Sequence, residues 1–180
     1  MSKGGQYRIR YHLSLKDDKP YAEYLKNLLI KMNLNPHLFI RDSNNTIDVA
    51  VSSIDYINFI KKYLKWNEDK TFSVRLKHTI DNYSIEFLKG FARGLMDTDG
   101  FLNPGNAVCA CISKKLIDNL SDIFIKFGLS ITRSVNIRGG NRRPLYYVRV
   151  RRESFEKYIK LIGFSNEYKA QQSNVIIRKD

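Results

Sequence analysis

Two aspartates with the potential for chemistry, Asp97 and Asp99, stand at the end of a largely apolar segment and are followed by Gly100. The apolar residues before them recur at intervals of three and four, which predicts a helix over residues 85–98. Both carboxylates then lie at the C-terminal end of that helix, where the helix dipole disfavours anions. This placement suggests that a bound cation offsets their charge. The alternative is a helix that ends at a glycine and carries two solvated aspartates.

The same helix contains two glycines, Gly90 and Gly94, which lie four residues apart and therefore on one face. Together they cost about 2 kcal/mol of helix propensity relative to alanine. Close approach of another backbone is a common reason for small residues at this spacing. We therefore expect Gly94 to lie at a close contact between helices.

The charge of the chain is strongly basic, with 31 Lys and Arg against 18 Asp and Glu, a net charge of +13 and a pI near 9.7. Such a surplus makes a polyanion the first hypothesis for a partner. The longest unbroken apolar run, Ala107–Ile112, is too short to cross a bilayer, and the first ten residues lack the apolar core of a secretion signal. We therefore expect an intracellular protein, cytoplasmic or organellar, without a membrane partner.

Several enzyme classes are excluded because their motifs are missing. The two cysteines, Cys109 and Cys111, and the three scattered histidines lack the spacing of a zinc site. Gly100 and Gly105 have the gap of a phosphate-binding loop, but Asn106 follows where that loop needs a lysine. A nucleophile-elbow serine is also absent.

The elements that must position these residues form a tandem repeat with the order strand, helix, strand, strand, helix. The tetrapeptides at residues 67–70 and 166–169 share three identities at an offset of 99. The repeat predicts two half-domains, residues 1–83 without a glycine-bearing helix of their own and residues 84–180 beginning with the helix 85–98. The predicted elements of the two copies are Tyr7–Leu13, Tyr21–Met32, Leu38–Asp42, Ile47–Ser52 and Ile54–Leu64, then Ala107–Ile112, Lys115–Phe127, Ile131–Arg138, Leu145–Arg151 and Phe155–Ile162.

Residues 87–100 resemble the signature helix of the LAGLIDADG homing endonucleases, and residues 92–100 keep the skeleton Gly-Leu-x-Asp-x-Asp-Gly. With the repeat around it, the resemblance covers nearly the whole chain. It implies an α/β (α+β) fold of tandem half-domains, each a curved antiparallel sheet backed by helices, that sits over the major groove of double-stranded DNA. It also implies that two signature helices pair through glycines such as Gly90 and Gly94. Because the first copy begins without such a helix, we expect a homodimer or a partner chain to supply the second one.

The resemblance also implies a catalytic site. Asp99 corresponds to the ligand of Mg²⁺ or Mn²⁺, whereas Asp97 supports the helix end. Lys169 matches the lysine that the family places near the attacking water, and Lys70 is its mate in the repeat.

The strands carry the residues that the resemblance assigns to DNA. Basic and apolar residues alternate from residue 7 to residue 13, so that one strand face is basic. Major-groove readout favours arginine on guanine and asparagine on adenine, while the hairpin of the second copy is expected to bind phosphates. The predicted DNA-binding residues are Arg8, Arg10, His12, Arg41, Asn136, Arg138, Arg142, Arg143, Tyr147, Arg149 and Arg151.

The function implied is that of a site-specific, Mg²⁺-dependent endonuclease for double-stranded DNA, acting in the mobility of an intron or intein. A second interpretation is a non-cleaving relative, either an RNA-splicing maturase or a sequence-specific DNA-binding protein. A third is a basic α/β protein whose glycine-bearing helix only packs.

Overall fold

The structure, a computed structural model, describes residues 7–67, 69–103, 105–140 and 142–177, without the side chain of Lys70. Contacts divide the chain into two compact units. The first unit runs up to Lys62 and includes Asn166–Tyr168, and the second comprises Tyr63–Ser165 and the residues from Lys169 onward. The half-domain boundary after residue 83 concerns the sequence repeat and stays a prediction.

The first unit is a three-stranded antiparallel sheet with helices on one side. Strands β1 and β2 are edge strands that pair with the central strand β3. Alternation along β3 turns Ile47 and Val49 into a core that also contains Leu13, Tyr21 and Leu29. The elements are β1 (Arg8–Ser14), α1 (Lys19–Lys31), β2 (His37–Arg41), β3 (Thr46–Ser52) and α2 (Ile54–Tyr63).

The second unit contains a four-stranded antiparallel sheet and a separate two-stranded ribbon. The larger sheet has the order β6-β7-β9-β8, and the ribbon pairs β4 with β5. The elements are β4 (Leu64–Lys65), α3 (Lys70–Ser73), β5 (Arg75–Leu76), α4 (Ile85–Thr98), β6 (Gly100–Asn103), β7 (Asn106–Cys111), α5 (Lys114–Lys126), β8 (Ile131–Asn136), β9 (Leu145–Val150), α6 (Phe155–Leu161) and α7 (Glu167–Ile177).

The core of the second unit lies between α4, α5 and the large sheet. Leu88, Ala92 and Met96 form the buried stripe of α4, and they share one apolar cluster with Phe124 and Val148. This stripe fixes which face of α4 points inward. The two glycines of α4 lie on a different face.

The way in which α1 of the first unit and α5 of the second unit end is similar, as the sequence repeat predicts. Both helices, α1 and α5, are followed by a residue of positive φ, Asn33 at +58° and Gly128 at +66°. The leucine after each of these residues donates its N–H to the carbonyl five residues back, at 3.1 and 3.0 Å. This is a C-cap motif that satisfies carbonyls left open at a helix end.

The predicted fold class is confirmed, since each unit is an antiparallel sheet backed by helices. The predicted helix over residues 85–98 coincides with α4, and the hydroxyl of Ser84 accepts a hydrogen bond from the N–H of Phe87 at its start. Among the helices and strands given above, β6, the β4–β5 ribbon, α3 and α7 are additional to the predicted elements.

Candidate nucleic-acid interface and metal site

The outer face of the first sheet carries the basic residues predicted for DNA. Strand alternation places Arg8, Arg10 and His12 of β1 on the face opposite the core, and the pairing of β2 with β3 places Arg41 there too. All four residues are exposed. The sequence-based expectation of a basic strand face therefore agrees with their positions, while their role in binding stays a prediction.

An acidic residue lies within this basic face. Asp48 of β3 has a side chain only 1% exposed and stands directly opposite His12. Its Oδ1 lies 2.6 Å from His12 Nδ1, while Oδ2 accepts from Arg41 Nη2 and lies 3.8 Å from Arg10 Nη1. Burial raises the pKa of the Asp48 carboxyl, but the hydrogen bonds from Arg41 and His12 lower it, so that the pKa falls below its usual value.

Asp48 is absent from the residues predicted from the sequence. The sequence signal for Asp48 was a single carboxylate at an outward position of a strand whose other residues are apolar or carry a hydroxyl group. Alternation alone assigns such a residue to solvent. Its burial follows from the cations that close over it from the two neighbouring strands.

The outer face of the second sheet is polar and aromatic. Thr132 pairs with Arg149 and Ser134 with Tyr147 across β8 and β9, so the four side chains lie on one face, with Asn136 at its end. Arg151 follows β9 and is exposed, 3.5 Å from a carboxylate oxygen of Glu153.

Arg133 provides a contrast on the opposite face of β8. It contacts Asp118 and Asp122 of α5, with N–O distances of 3.7 and 3.1 Å. The strand thus separates a helix-facing arginine from the outward polar residues.

The hairpin between β8 and β9 presents three predicted arginines. Arg142 is exposed, and Arg138 donates two hydrogen bonds to the carbonyl of Arg143, at 3.1 and 2.8 Å. The guanidinium of Arg143 lies 3.9 Å from the ring centroid of Phe72 in α3. A cation stacked on an aromatic ring keeps its edge available for a phosphate.

The C-terminal end of α4 is tightly constrained. A Cβ on Gly100 would collide with the backbone carbonyl of Met96, so this position needs glycine for the turn from α4 into β6. Buried Asp97 holds the same end, because its carboxylate oxygens accept from the N–H of Ser165 at 3.0 and 3.2 Å. The next acidic residue, Asp99, caps the helix and is exposed.

The carboxylate of Asp99 has little compensation from its neighbours. The hydroxyl of Thr98 lies 3.4 Å from its Oδ2. Surrounding protein atoms exclude water from part of the carboxyl group and raise its pKa above the usual value, against the lowering effects of Thr98 and of the charge of Lys169.

Lys169 lies at the same helix end and is only 8% exposed. Its Nζ donates to the carbonyls of Met96 and Asp97, at 3.0 and 2.6 Å. A cation there complements the negative end of the helix dipole and satisfies carbonyls that have no partner within the helix. Lys70 begins α3, but its side chain lies outside the described part of the chain.

The carboxylate of Asp99 is one oxygen ligand of the kind that a hard divalent cation prefers. Magnesium is commonly held by one or two carboxylates, with waters and phosphate oxygens completing its octahedron. Within the described ranges, no group of three or more His, Cys, Asp or Glu side chains could hold a metal ion. Waters and phosphate oxygens would therefore supply much of the coordination of such an ion.

The glycine face of α4 is open in the described chain. A Cβ added at Gly90 or Gly94 would find no heavy atom within 4 Å beyond the helix's own neighbouring backbone. The close contact expected at Gly94 is therefore not made by the described residues, and pairing through this face stays a prediction. In the described chain, no helix is long and apolar enough to span a membrane.

Two antiparallel sheets backed by helices, with a glycine-bearing helix that ends in exposed Asp99, define a LAGLIDADG-type fold. Residues 86–163 match the family model described as a LAGLIDADG-like domain. The matched segment contains residues 87–100 and their surroundings, so the resemblance drawn from these residues is confirmed.

Solved structures show the same fold across most of the chain. A mesophilic variant of the homing endonuclease I-DmoI has a TM-score of 0.65 at 14% identity, covering 90% of this chain and 84% of that one. The complex of I-DmoI with DNA and Mn has a TM-score of 0.64 at 15% identity, and the match covers 90% of this chain and 85% of that one. The N-terminal LAGLIDADG domain of DUF199/WhiA has a TM-score of 0.60 at 12% identity, and the match covers 88% of this chain and 74% of that one. At these identities the likeness concerns the fold alone.

A curated relative is the replication factor C small subunit of Methanocaldococcus jannaschii, which is 24% identical over 163 residues. The match covers 90% of this chain but 8% of that protein. The chain therefore corresponds to a small segment of this much longer relative.

Proposed function

We propose that the chain binds double-stranded DNA through the outer faces of its two sheets and hydrolyses phosphodiesters site-specifically with a divalent metal at Asp99. The observation that carries the proposal is the exposed, poorly compensated Asp99 at the end of a glycine-bearing helix. The structure of I-DmoI with DNA and Mn supports it by analogy of fold. An intracellular location, cytoplasmic or organellar, belongs to the same proposal because the substrate lies there.

The DNA-binding half of the proposal rests on the outward side chains of both sheets. Arg8, Arg10 and Arg41 in the first unit and Arg149 in the second are exposed and could reach base edges or phosphates. The hairpin arginines Arg138, Arg142 and Arg143, together with Arg151, would neutralise phosphates. Affinity should then fall steeply with salt, since bound cations on DNA are released.

The catalytic half rests on the residues around the end of α4. Asp99 would hold Mg²⁺ or Mn²⁺, which when bound activates water and stabilises the leaving oxygen. The tight turn at Gly100 and the hydrogen bonds of Asp97 with Ser165 constrain the helix end that carries Asp99. Lys169 adds a positive charge at that end, and its position beside Asp99 supports the predicted role near the attacking water, with Lys70 as the corresponding residue of the first copy.

The open face of Gly90 and Gly94 supports a further part of the proposal, the pairing of α4 with a second signature helix. A homodimer, a partner chain or another part of a longer protein could supply it. Because cleavage of both strands needs two acidic helix ends, this pairing would complete the nuclease. The match to 8% of a longer archaeal protein is consistent with a segment carried inside another protein, as an intein is.

A non-cleaving, sequence-specific DNA-binding protein is the second candidate function. The observation that favours it is the similarity of fold to the N-terminal LAGLIDADG domain of DUF199/WhiA. An RNA-splicing maturase on the same scaffold would be detected as preferential binding to structured RNA.

The test is Mg²⁺- or Mn²⁺-dependent nicking of a target selected from a random duplex library. The Asp99→Asn variant should bind that target at least as tightly, because a negative charge near phosphates is lost, and should not cut it. Glu86→Gln is the matched control, since Glu86 is an exposed acid in the first turn of the same helix. Cleavage that persists in Asp99→Asn would place the active site elsewhere, and binding without cleavage by the unchanged chain would favour the non-cleaving candidate.

A further inference from the structure

The buried carboxylate of Asp48 joins all three strands of the first sheet at its outer face. Asp48 belongs to the central strand β3, His12 and Arg10 to β1, and Arg41 to β2. Isolated buried carboxylates are strongly disfavoured, whereas this one is surrounded by cations and hydrogen-bond donors. Three side chains predicted to touch DNA therefore share one acceptor.

The contact with His12 determines where the imidazole proton lies. An ionised carboxylate can only accept hydrogen bonds, so the ring nitrogen 2.6 Å from Asp48 Oδ1 has to be the donor. That nitrogen is Nδ1. In a neutral imidazole, the other nitrogen, Nε2, then carries a lone pair and no proton.

The position of His12 makes this lone pair accessible. The His12 side chain is 61% exposed on the outer face of β1. Among the described residues, the His12 ring is hydrogen-bonded to Asp48 through Nδ1. Nε2 is thus presented to whatever lies against the sheet.

Base edges in the major groove differ in their amino groups. Adenine N6 and cytosine N4 are donors, whereas guanine and thymine present only acceptors and the thymine methyl group from their own edges. A lone pair at Nε2 can accept a hydrogen bond from the amino group of adenine or cytosine. The acceptor atoms of guanine and thymine repel it.

We propose that Asp48 is a positioning residue that fixes the Nδ1–H tautomer of His12, so that Nε2 selects an adenine or cytosine amino group in the DNA bound by the first unit. The inference rests on the proposed DNA binding and extends it to a specific base contact. The same carboxylate holds Arg41 and approaches Arg10, which limits the directions in which these guanidinium groups can reach. Asp48 itself does not contact DNA.

The tautomer can be measured on the full chain without DNA. Long-range ¹H–¹⁵N NMR spectra of the neutral His12 ring should show the proton on Nδ1, and the Asp48→Asn variant should shift the population towards the Nε2–H form. An Nε2–H ring in the unchanged protein would overturn the inference, whatever the outcome of DNA binding.

Base selection is measured by sequencing duplexes bound from a random library. The unchanged protein should prefer adenine or cytosine over guanine or thymine at one position by about tenfold, the scale of a base contact. Asp48→Asn should reduce this preference at that position, whereas Asp118→Asn, which removes an acid paired with Arg133 and Lys114 in the second unit, should leave it unchanged. His12→Gln provides a second variant that leaves the buried carboxylate in place and should also lose the preference.

The outcomes separate the inference from the proposed function. A uniform loss of affinity in Asp48→Asn and His12→Gln, with every base preference retained, would refute the positioning role. Absence of DNA binding by the unchanged chain would refute the proposed function and the base contact together, while the NMR spectra would still decide the tautomer.

Discussion

Replacement of Lys169 by methionine tests whether this residue stabilises the end of α4. Methionine keeps an unbranched apolar stem of similar length but has no donor for the carbonyls of Met96 and Asp97, which receive hydrogen bonds of 3.0 and 2.6 Å from Nζ. A hydrogen bond from a charged group contributes about 1.5–3 kcal/mol, and a better apolar fit of methionine offsets part of the loss. We expect the free energy of unfolding of the second unit to fall by about 2–4 kcal/mol.

Urea denaturation followed by tryptophan fluorescence measures this change, because the single tryptophan, Trp66, lies in the second unit. With an m-value of about 2 kcal/mol per molar urea, the midpoint should shift by about 1–2 M. Lys157→Met is the matched control, since Lys157 Nζ donates to the carbonyl of Gly128 at 2.9 Å from an exposed position. Because water can replace this exposed hydrogen bond, its loss should cost less than about 1 kcal/mol.

A Lys169→Met protein with an unchanged midpoint would refute the structural role. If that variant nevertheless bound DNA normally and cleaved it slowly, Lys169 would act on the reaction rather than on the fold. If Lys169→Met loses both stability and cleavage, cleavage is assayed at a urea concentration well below the unfolding midpoint of the variant. There the folded fraction no longer limits the rate.

Three other changes give distinct outcomes. Gly94→Leu should leave the melting temperature of the monomer unchanged or higher, because the face is open, while abolishing any dimer seen by analytical ultracentrifugation; a persistent dimer would refute pairing through this face. The double change Arg149→Ala and Arg151→Ala should weaken DNA binding by more than about 1 kcal/mol in a titration, whereas Arg133→Ala, on the helix-facing side, should not. Asp48→Asn should destabilise the protein at pH 7, and the difference from the unchanged protein should vanish in denaturation curves as the pH falls below about 4. The pKa of Asp48 is lowered in the folded state, so its stabilisation is present above the unfolded pKa and is lost as the pH falls through the folded value; a constant difference would contradict the ion pairs.

The sequence predicted α4 well because this helix rests on local signals. The apolar periodicity, the capping Ser84 and the closing Gly100 all act within a few residues, so the helix bounds agree with the structure. The repeated C-caps at Asn33 and Gly128 are local in the same sense. A strong local signal of this kind needs no knowledge of the rest of the fold.

The additional elements depend on partners that are distant in sequence or on weak patterns. Strand β6 has four residues and no clear alternation, and it exists because it pairs with β7. Helix α7 is largely polar, so its sequence carries little amphipathic signal. The acceptor for His12 is 36 residues away, and the register of β1 with β3 decides that contact. Pairing of this kind is set by the sheet as a whole.

Two carboxylates of this basic chain are in opposite electrostatic situations, and the contrast supports the assignment of the metal site. Asp48 is buried, yet its own chain supplies His12 and Arg41, and the pKa of its carboxyl is lowered. Asp99 lies at the negative end of a helix. Partial burial of its carboxyl raises the pKa of that group, despite the hydrogen bond from Thr98 and the charge of Lys169. A divalent cation would therefore improve the environment of Asp99 and add nothing to Asp48. Titration with Mn²⁺, followed by electron paramagnetic resonance, should show binding that Asp99→Asn abolishes and Asp48→Asn preserves, and the reverse pattern would exclude Asp99 as the ligand.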